Sequence, residues 1–270
     1  IDFLNKTIEV SEAQMSLIVA IYTGGGFIAA LASGVLADWI GRKLMMIIGG
    51  VAFVVSILLI YLSQGFMPLL IGRVLMGLSG GIICVVVPLY MAECLPAGIR
   101  GRGTAIFQFM LTLGMVIAGA IGVFFTNQNA AAIAAAQQQF ANDPASLKTA
   151  VLAANNAAWR NMFLVAALPG AIYSIGALFI KESPRWLFRR GQAAQAEAIL
   201  RLSRSEAQAK LEMAEMGQHA NKAEAATGSA TDSLFQRKYI LPFVIACVVL
   251  GATQATGINS VIAYAVVILK

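Results

Sequence analysis

The sequence predicts an all-α protein that crosses a membrane several times. Of its 270 residues, 59% are hydrophobic and only 12% are charged, and the mean hydropathy is +0.78. The apolar residues also occur in long runs without a charge, such as the 25 residues 13–37. Soluble domains carry about 25% charged residues, and a helix needs about 20 apolar residues to cross a bilayer. These observations exclude a soluble globular domain.

Six apolar runs follow one another, and we expect each to form one membrane helix. Short polar turns separate the early runs, and Gly24-Gly25-Gly26 is expected to weaken the middle of the first. The segment 181–238 is long, polar and predicted to form short surface helices. The six runs are 13–37, 44–62, 67–92, 104–125, 160–180 and 239–269.

Lysine and arginine are distributed unevenly between the loops, which predicts the orientation of the chain. Loops 38–43 and 94–103 carry two basic residues each, and 181–238 carries ten of the 19. These three segments are expected to be cytoplasmic, and residues 1–12 and 127–159 extracytoplasmic. The same distribution explains the net charge of +6 without nucleic acid as a partner. We expect a multi-pass protein of the inner or plasma membrane, in contact with the lipid bilayer.

We expect the other helices to pack around the third apolar run, residues 67–92. Arginine at membrane depth is costly, by about 2.5 kcal/mol or more, so Arg73 is expected to face a partner or a wet cavity. Gly72, Gly77, Gly80 and Gly81 form a small-residue face that allows a neighbouring helix to approach closely.

The segment 127–159 is a low-complexity insert. It holds 13 alanines and nine asparagines or glutamines, and it is longer than most loops. We expect an extracytoplasmic loop and assign it no role. Trp159 and Arg160, at its end, are expected to anchor the next helix at the membrane interface.

An acid and two bases share the tight turn between the first two runs. The pattern is Gly34-x-x-x-Asp38-x-x-Gly41-Arg42-Lys43, and Asp38 could cap the helix that follows. A plain positively charged turn would explain the bases alone. The pattern resembles the signature loop of the major facilitator superfamily, although Trp39 stands where that family usually has a basic residue.

Four further motifs, in the right order relative to the spans, resemble the sugar porter family of that superfamily. They are Gly72-Arg73, Pro88-x-Tyr90-x-x-Glu93 with Arg100-Gly101, Glu182-Ser183-Pro184-Arg185-Trp186-Leu187, and Gln254-x-Thr256-Gly257-Ile258-Asn259. The resemblance implies a major facilitator superfamily-like helix bundle, of which this chain would hold about helices 2 to 7 of 12, truncated at both ends.

The resemblance also implies a domain organisation. Residues 13–181 would form the N-terminal transmembrane half, comprising helices 2 to 6 and the insert 127–159. Residues 182–238 would form a cytoplasmic helical linker, and 239–270 the first helix of the C-terminal half.

Three amides and a threonine are the predicted substrate-binding residues. Sugar porters contact the sugar with a glutamine at the place of Gln108. Gln254 follows Pro242 by about 18 Å of helix, and Asn259 follows a glycine that weakens that helix. Thr253 stands where the family usually has another glutamine. Amides suit sugar hydroxyls because each offers donors and an acceptor. For Gln108 and Asn259, a hydrogen bond between packed helices is the alternative.

A second set of residues is predicted to couple or stabilise the conformational cycle. The resemblance implies a cytoplasmic ion-pair network that latches two halves of the molecule, and Arg73 facing an acid in the proton-coupled members. The set comprises Arg73, Asp38, Arg42, Glu93, Arg100, Glu182 and Arg185.

The predicted function is therefore transport of a small sugar, a monosaccharide, by alternating access, with H⁺ symport and uniport both open. A polyol or organic acid transporter and a sugar sensor that does not transport are the alternatives. We expect no enzyme, catalytic residue or cofactor. The single histidine, His219, and the three cysteines lack metal-ligand spacing, so no metal site is expected.

Overall fold

A computed structural model describes residues 12–227 and 237–255 of the chain. Within these ranges all regular elements are helices, as predicted. They are α1 (Glu12–Ile40), α2 (Arg42–Leu62), α3 (Phe66–Cys94), α4 (Ala97–Gln139), α5 (Pro144–Phe179), α6 (Pro184–Arg189), α7 (Ala193–Arg201), α8 (Glu206–Thr227) and α9 (Arg237–Ala255). Of the described helices, α1 to α5 are long and apolar enough to cross a membrane.

The chain divides into two compact units, Ile1–Leu200 and Arg201–Lys270. The first contains the five membrane-length helices and α6. In the second, Glu206 and Lys210 form an i,i+4 ion pair at 3.0 Å on α8, and Arg204 donates to Glu212 at 2.6 Å. Helices α6 to α8 lie in the segment that the sequence assigns to a linker.

In the first unit, α3 packs against both α1 and α2, and α5 packs against α2 and α4. Glycines allow the closest of these approaches. A Cβ on Gly77 or Gly81 would collide with the backbone carbonyl of Tyr22 or Gly26 on α1. A Cβ on Gly72 would lie 2.6 Å from Ile60 of α2. The close approach predicted for this glycine face is therefore present on both sides of α3.

The glycine triplet, which is expected to weaken the middle of the first run, lies within the continuous helix α1. A Cβ on Gly25 would lie 3.2 Å from the Val74 carbonyl oxygen, and one on Gly26 would lie 3.4 Å from the Gly77 carbonyl oxygen. Gly25 and Gly26 thus face the backbone of α3, and packing between the two helices compensates for the low helix propensity of glycine.

Two apolar clusters fill the interior of this unit, one near each end. Near the α1–α2 turn, called here the Gly41 end, the buried residues are Ala37, Met45, Met46, Val86 and Ala177. Near the α2–α3 turn, the Ser63 end, they are Ile18, Ile57, Ile60, Leu69, Met76 and Trp159.

Large apolar side chains also cover the outside of the bundle. Phe27, Leu31, Val116 and Phe179 are 66%, 67%, 66% and 79% exposed. Exposing such side chains to water is unfavourable by about 25 cal/mol per Å² of apolar surface. A bundle with this surface is suited to lipid.

The insert is helical rather than a loop. Helix α4 continues to Gln139, and α5 begins at Pro144 after a short turn. At 43 residues, α4 is about 65 Å long, roughly twice the thickness of a bilayer core. Asp143 caps α5 by accepting from the N–H groups of Ala145 and Ser146. The insert therefore extends the two membrane helices as a helical hairpin.

A buried amide pair joins the two helices of this hairpin. Asn129 Nδ2 donates to Asn155 Oδ1 at 2.9 Å. Asn129 Oδ1 and Asn155 Nδ2 are buried and have no hydrogen-bond partner among the described residues. The pair is a direct polar contact between two otherwise alanine-rich helices.

Trp159 and Arg160 join helices rather than anchoring one of them at an interface. Trp159 is buried in the cluster at the Ser63 end. The guanidinium of Arg160 donates to the backbone carbonyls of Tyr61 and Ser63. Because carbonyls at a helix C-terminus lack helical partners, Arg160 completes the end of α2.

Candidate functional site: a charge cluster at the Gly41 end

The site is built on the sharp turn at Gly41. Helix α1 ends at Ile40 and α2 begins at Arg42, so one residue reverses the chain. Gly41 has a φ of 97°, a conformation that favours glycine. A Cβ at this position would also collide with the carboxylate of Glu182. The turn therefore requires glycine for its backbone and for the space it leaves.

Glu182 caps α2 from a distant part of the chain. Its Oε1 accepts from the Arg42 N–H at 2.9 Å, and both of its oxygens accept from the Lys43 N–H at 3.1 Å. A carboxylate is favoured at a helix N-terminus because the free N–H groups and the helix dipole both attract it. The sequence pattern suggested Asp38 for this role, but Asp38 instead accepts from the side chain of Arg42.

The centre of the cluster is a buried pair between Arg42 and Glu93. Nε and NH2 of Arg42 donate to the two oxygens of Glu93, each at 2.8 Å. The remaining guanidinium bonds go to the Ala37 carbonyl at 2.9 Å and to Asp38 Oδ1 at 2.7 Å. Ser183 adds a hydroxyl donor to Glu93. This bidentate geometry satisfies both charges and joins the end of α1, the start of α2 and the end of α3.

Arg189 lies on the solvent side of this pair. It approaches Glu93 Oε1 at 3.2 Å and Asp38 Oδ1 at 3.4 Å. Its side chain is 54% exposed, and that of Asp38 is 50% exposed. The sequence pointed to Arg185, one helical turn earlier, which is exposed. Among the described residues the second cation of the cluster is Arg189.

Helix α6 is also fastened to the end of α1. Trp186 Nε1 donates to the Asp38 carbonyl at 2.9 Å, and Arg190 donates to the carbonyls of Asp38 and Trp39. The Arg190 guanidinium lies over the Trp186 ring, 5.3 Å from its centroid. These groups satisfy the terminal carbonyls of α1, which have no partner within that helix.

Two predicted coupling residues lie apart from these contacts. Arg100 is half-buried in the first turn of α4, and its Nε has no hydrogen-bond partner among the described residues. Arg73 lies over the ring of Phe163 on α5, 4.8 Å from its centroid. Its Nε is likewise buried without a partner in the described ranges. The contact that the structure describes for Arg73 is thus a cation–π contact with Phe163.

The predicted sugar-binding residues are described unevenly. Gln108 is exposed on α4 and is the twelfth residue of that helix. Thr253 and Gln254 belong to α9, of which the backbone is described at these positions. Asn259 lies outside the described residues.

Comparison with known families identifies the chain. The model of the sugar (and other) transporter family matches residues 3–270. The chain belongs to this family. It is a multi-pass membrane protein, and its family and fold are those of transporters.

The relatives show how much of a transporter the chain represents. The probable metabolite transport protein CsbC of Bacillus subtilis is 29% identical over 97% of this chain and 50% of its own length. Sugar transporter ERD6-like 7 of Arabidopsis thaliana gives the same three values. XylE of E. coli, a proton:xylose symporter of the major facilitator superfamily solved with 6-bromo-6-deoxy-D-glucose, has a TM-score of 0.68 at 24% identity. That match covers 84% of this chain and 49% of XylE. The chain spans about half the length of these relatives and has the major facilitator fold.

Proposed function

We propose that the protein to which this chain belongs carries a small sugar, a monosaccharide, across the plasma or inner membrane by alternating access. The observation that carries this proposal is the match of the sugar transporter family to nearly the whole chain. The printed names of the relatives, which include a sugar transporter and a proton:xylose symporter, support this substrate class.

Gln108, Gln254, Asn259 and Thr253 are the proposed sugar-binding residues. The support for Gln108 is its exposure on α4 next to the exposed apolar side chains of Phe109 and Met110. An amide in such a surface can donate to and accept from sugar hydroxyls. The other three residues are proposed from their place in the family motif and from the same chemistry.

The charge cluster is the proposed conformational element. Asp38, Arg42, Glu93 and Glu182 join three membrane helices and the segment before α6, so these parts move as one body. We propose that this end, with loops 38–43, 94–103 and 181–238, is cytoplasmic, and the distribution of basic residues supports this orientation. Arg73, Arg100 and Arg185 are proposed to act in the same conformational cycle. H⁺ is the proposed second solute in the case that the protein is a symporter.

Uptake into proteoliposomes tests the proposal. The complete protein is reconstituted, and saturable uptake of labelled pentoses and hexoses is measured with polyols as competitors. A dye that reports internal and external pH distinguishes symport from uniport, because only symport removes protons from the side of sugar addition. Binding without uptake, or no saturable uptake of any sugar, would contradict the proposal.

A matched pair of variants tests the binding residue. Gln108→Ala is expected to raise KM for the sugar about tenfold, which corresponds to roughly 1.4 kcal/mol of lost binding. Gln137→Ala changes an exposed glutamine on the same helix but within the insert, and should leave KM unchanged. Equal effects of the two variants would count against a binding role for Gln108.

A further inference from the structure

The cluster at the Gly41 end contains more acids than its buried arginine can neutralise. Glu182 is stabilised by the N–H groups at the start of α2. Arg42 forms a bidentate pair with Glu93 and a single bond with Asp38. One cation therefore serves two carboxylates, and the cluster without a further cation would carry an excess negative charge.

Arg189 supplies that further cation from α6. It bridges a buried acid and a half-exposed acid, since Glu93 is 8% and Asp38 is 50% exposed. Its own side chain is more than half exposed, so it can leave the cluster without opening the apolar interior. The other hydrogen bonds described between α6 and the turn run from Trp186 and Arg190 to backbone carbonyls of α1, and the Ser183 hydroxyl donates to Glu93. Arg189 is thus the exposed ion-pair contact between α6 and the turn.

We propose that Arg189 is a positioning residue that holds α6 against the Gly41 turn through this two-acid bridge, so that the docking of α6 responds to ionic strength. Exposed ion pairs are screened by salt, whereas buried pairs are screened much less. Salt would therefore loosen the Arg189 bridge and spare the Arg42–Glu93 pair. The expected effect on turnover rests on the proposed function, but the docking itself does not.

Hydrogen exchange of the complete protein measures the docking directly. The backbone N–H groups of Arg42 and Lys43 donate to Glu182, so they become exchangeable when the segment before α6 moves away. Arg189→Ala is expected to speed exchange at these two amides about two- to fivefold, the range of an exposed pair. Raising salt from about 0.1 M to about 1 M, which shortens the screening length from roughly 10 to 3 Å, should speed exchange in the wild type but not in Arg189→Ala.

Arg102→Ala is the control, because it removes an exposed arginine near the start of α4 that has no proposed role. It should leave exchange at the two amides as in the wild type, and Arg189→Lys should restore most of the protection. If Arg102→Ala and Arg189→Ala have the same effect, or if the salt response survives in Arg189→Ala, the inference is overturned. Exchange does not require transport, so failure of sugar uptake would refute the proposed function and leave this test intact.

Discussion

The carboxylate of Glu182 fills the space that a side chain on Gly41 would need. A Cβ at position 41 would collide with Oε2 of Glu182, and the same carboxylate accepts from the N–H groups of Arg42 and Lys43. Turn geometry and helix capping thus depend on one glycine and one acid that lie far apart in sequence.

Gly41→Ala is therefore expected to destabilise the protein through two effects. The backbone conformation of Gly41, with φ 97° and ψ 159°, costs a non-glycine residue about 1–3 kcal/mol, and displacement of the cap costs about 0.5–2 kcal/mol more. Gly191→Ala is the control for a positive φ without a collision, because Gly191 has a φ of 76° and nothing lies within 4 Å of its Cβ position. Thermal unfolding of the detergent-solubilised protein should show the larger loss for Gly41→Ala. Equal losses would mean that the contact with Glu182 is unimportant.

Glu93→Ala tests the buried centre of the cluster. It leaves the Arg42 guanidinium buried without its bidentate partner, which should cost about 3–5 kcal/mol. Asp38→Asn removes a half-exposed acid of the same cluster and should cost about 1 kcal/mol or less. Glu93→Gln should retain part of the hydrogen bonding and shift the inward/outward balance of the transporter. Thermal unfolding ranks the three variants, and unchanged cysteine accessibility on both sides of the membrane in Glu93→Gln would argue against a conformational role.

Adjacent glycines on α3 offer a test of helix packing. A Cβ on Gly81 would collide with the Gly26 carbonyl of α1 and lie 2.9 Å from the Ala29 Cβ, whereas one on Gly80 would meet only the Tyr22 hydroxyl at 3.6 Å. Gly81→Ala should therefore separate α1 from α3 and cost about 1–3 kcal/mol, as overpacking does. Gly80→Ala should be tolerated. Similar thermal stabilities of the two variants would contradict the close packing of these helices.

The sequence predicts well those features that depend on neighbouring residues. The membrane-length helices and the glycine face of α3 follow from length, hydropathy and spacing, which are local properties. The prediction of a loop for the insert 127–159 is wrong, although the sequence holds a local signal for a helix. Asp143-Pro144 is an N-cap followed by proline at the first helical position, and alanine is the strongest helix former.

The sequence could not predict partners that the fold brings together. Glu182 and the amide of Arg42 that it caps are 140 positions apart, and nothing in the local pattern selects Glu182 over Asp38. Arg185 belongs to the motif and nothing in the local pattern selects Arg189, yet α6 presents Arg189 to the two acids. The sequence predicts Trp159 as an interfacial residue, but the packing of the hairpin and the neighbouring helices buries it.

The cap at the start of α5 predicts a response to acid. Hydrogen bonds from the Ser146 hydroxyl, and then from the N–H groups of Ser146 and Ala145, hold the pKa of the Asp143 carboxyl below its ordinary value. The ionised cap therefore stabilises the folded hairpin fully at pH values above the pKa that Asp143 has in the unfolded chain. This stabilisation is lost as the pH falls through the lower pKa that Asp143 has in the folded protein. Pepsin cleavage at the turn of the intact protein should increase below about pH 4. Asp143→Asn, which caps without titrating, should not share that increase once pepsin activity is normalised.

The buried amide pair of the hairpin allows a double-mutant cycle. Asn155→Ala removes the partner of Asn129 and leaves that amide buried, at a cost of about 1–3 kcal/mol. The double variant Asn129→Ala/Asn155→Ala should lose less free energy of unfolding than the sum of the two single variants, because no amide is left buried without its partner. The native pair also already leaves one donor and one acceptor unsatisfied among the described residues. Asn142→Ala, at an exposed position in the turn, is the control and should be neutral. Additive losses in thermal unfolding would show that the two asparagines act independently.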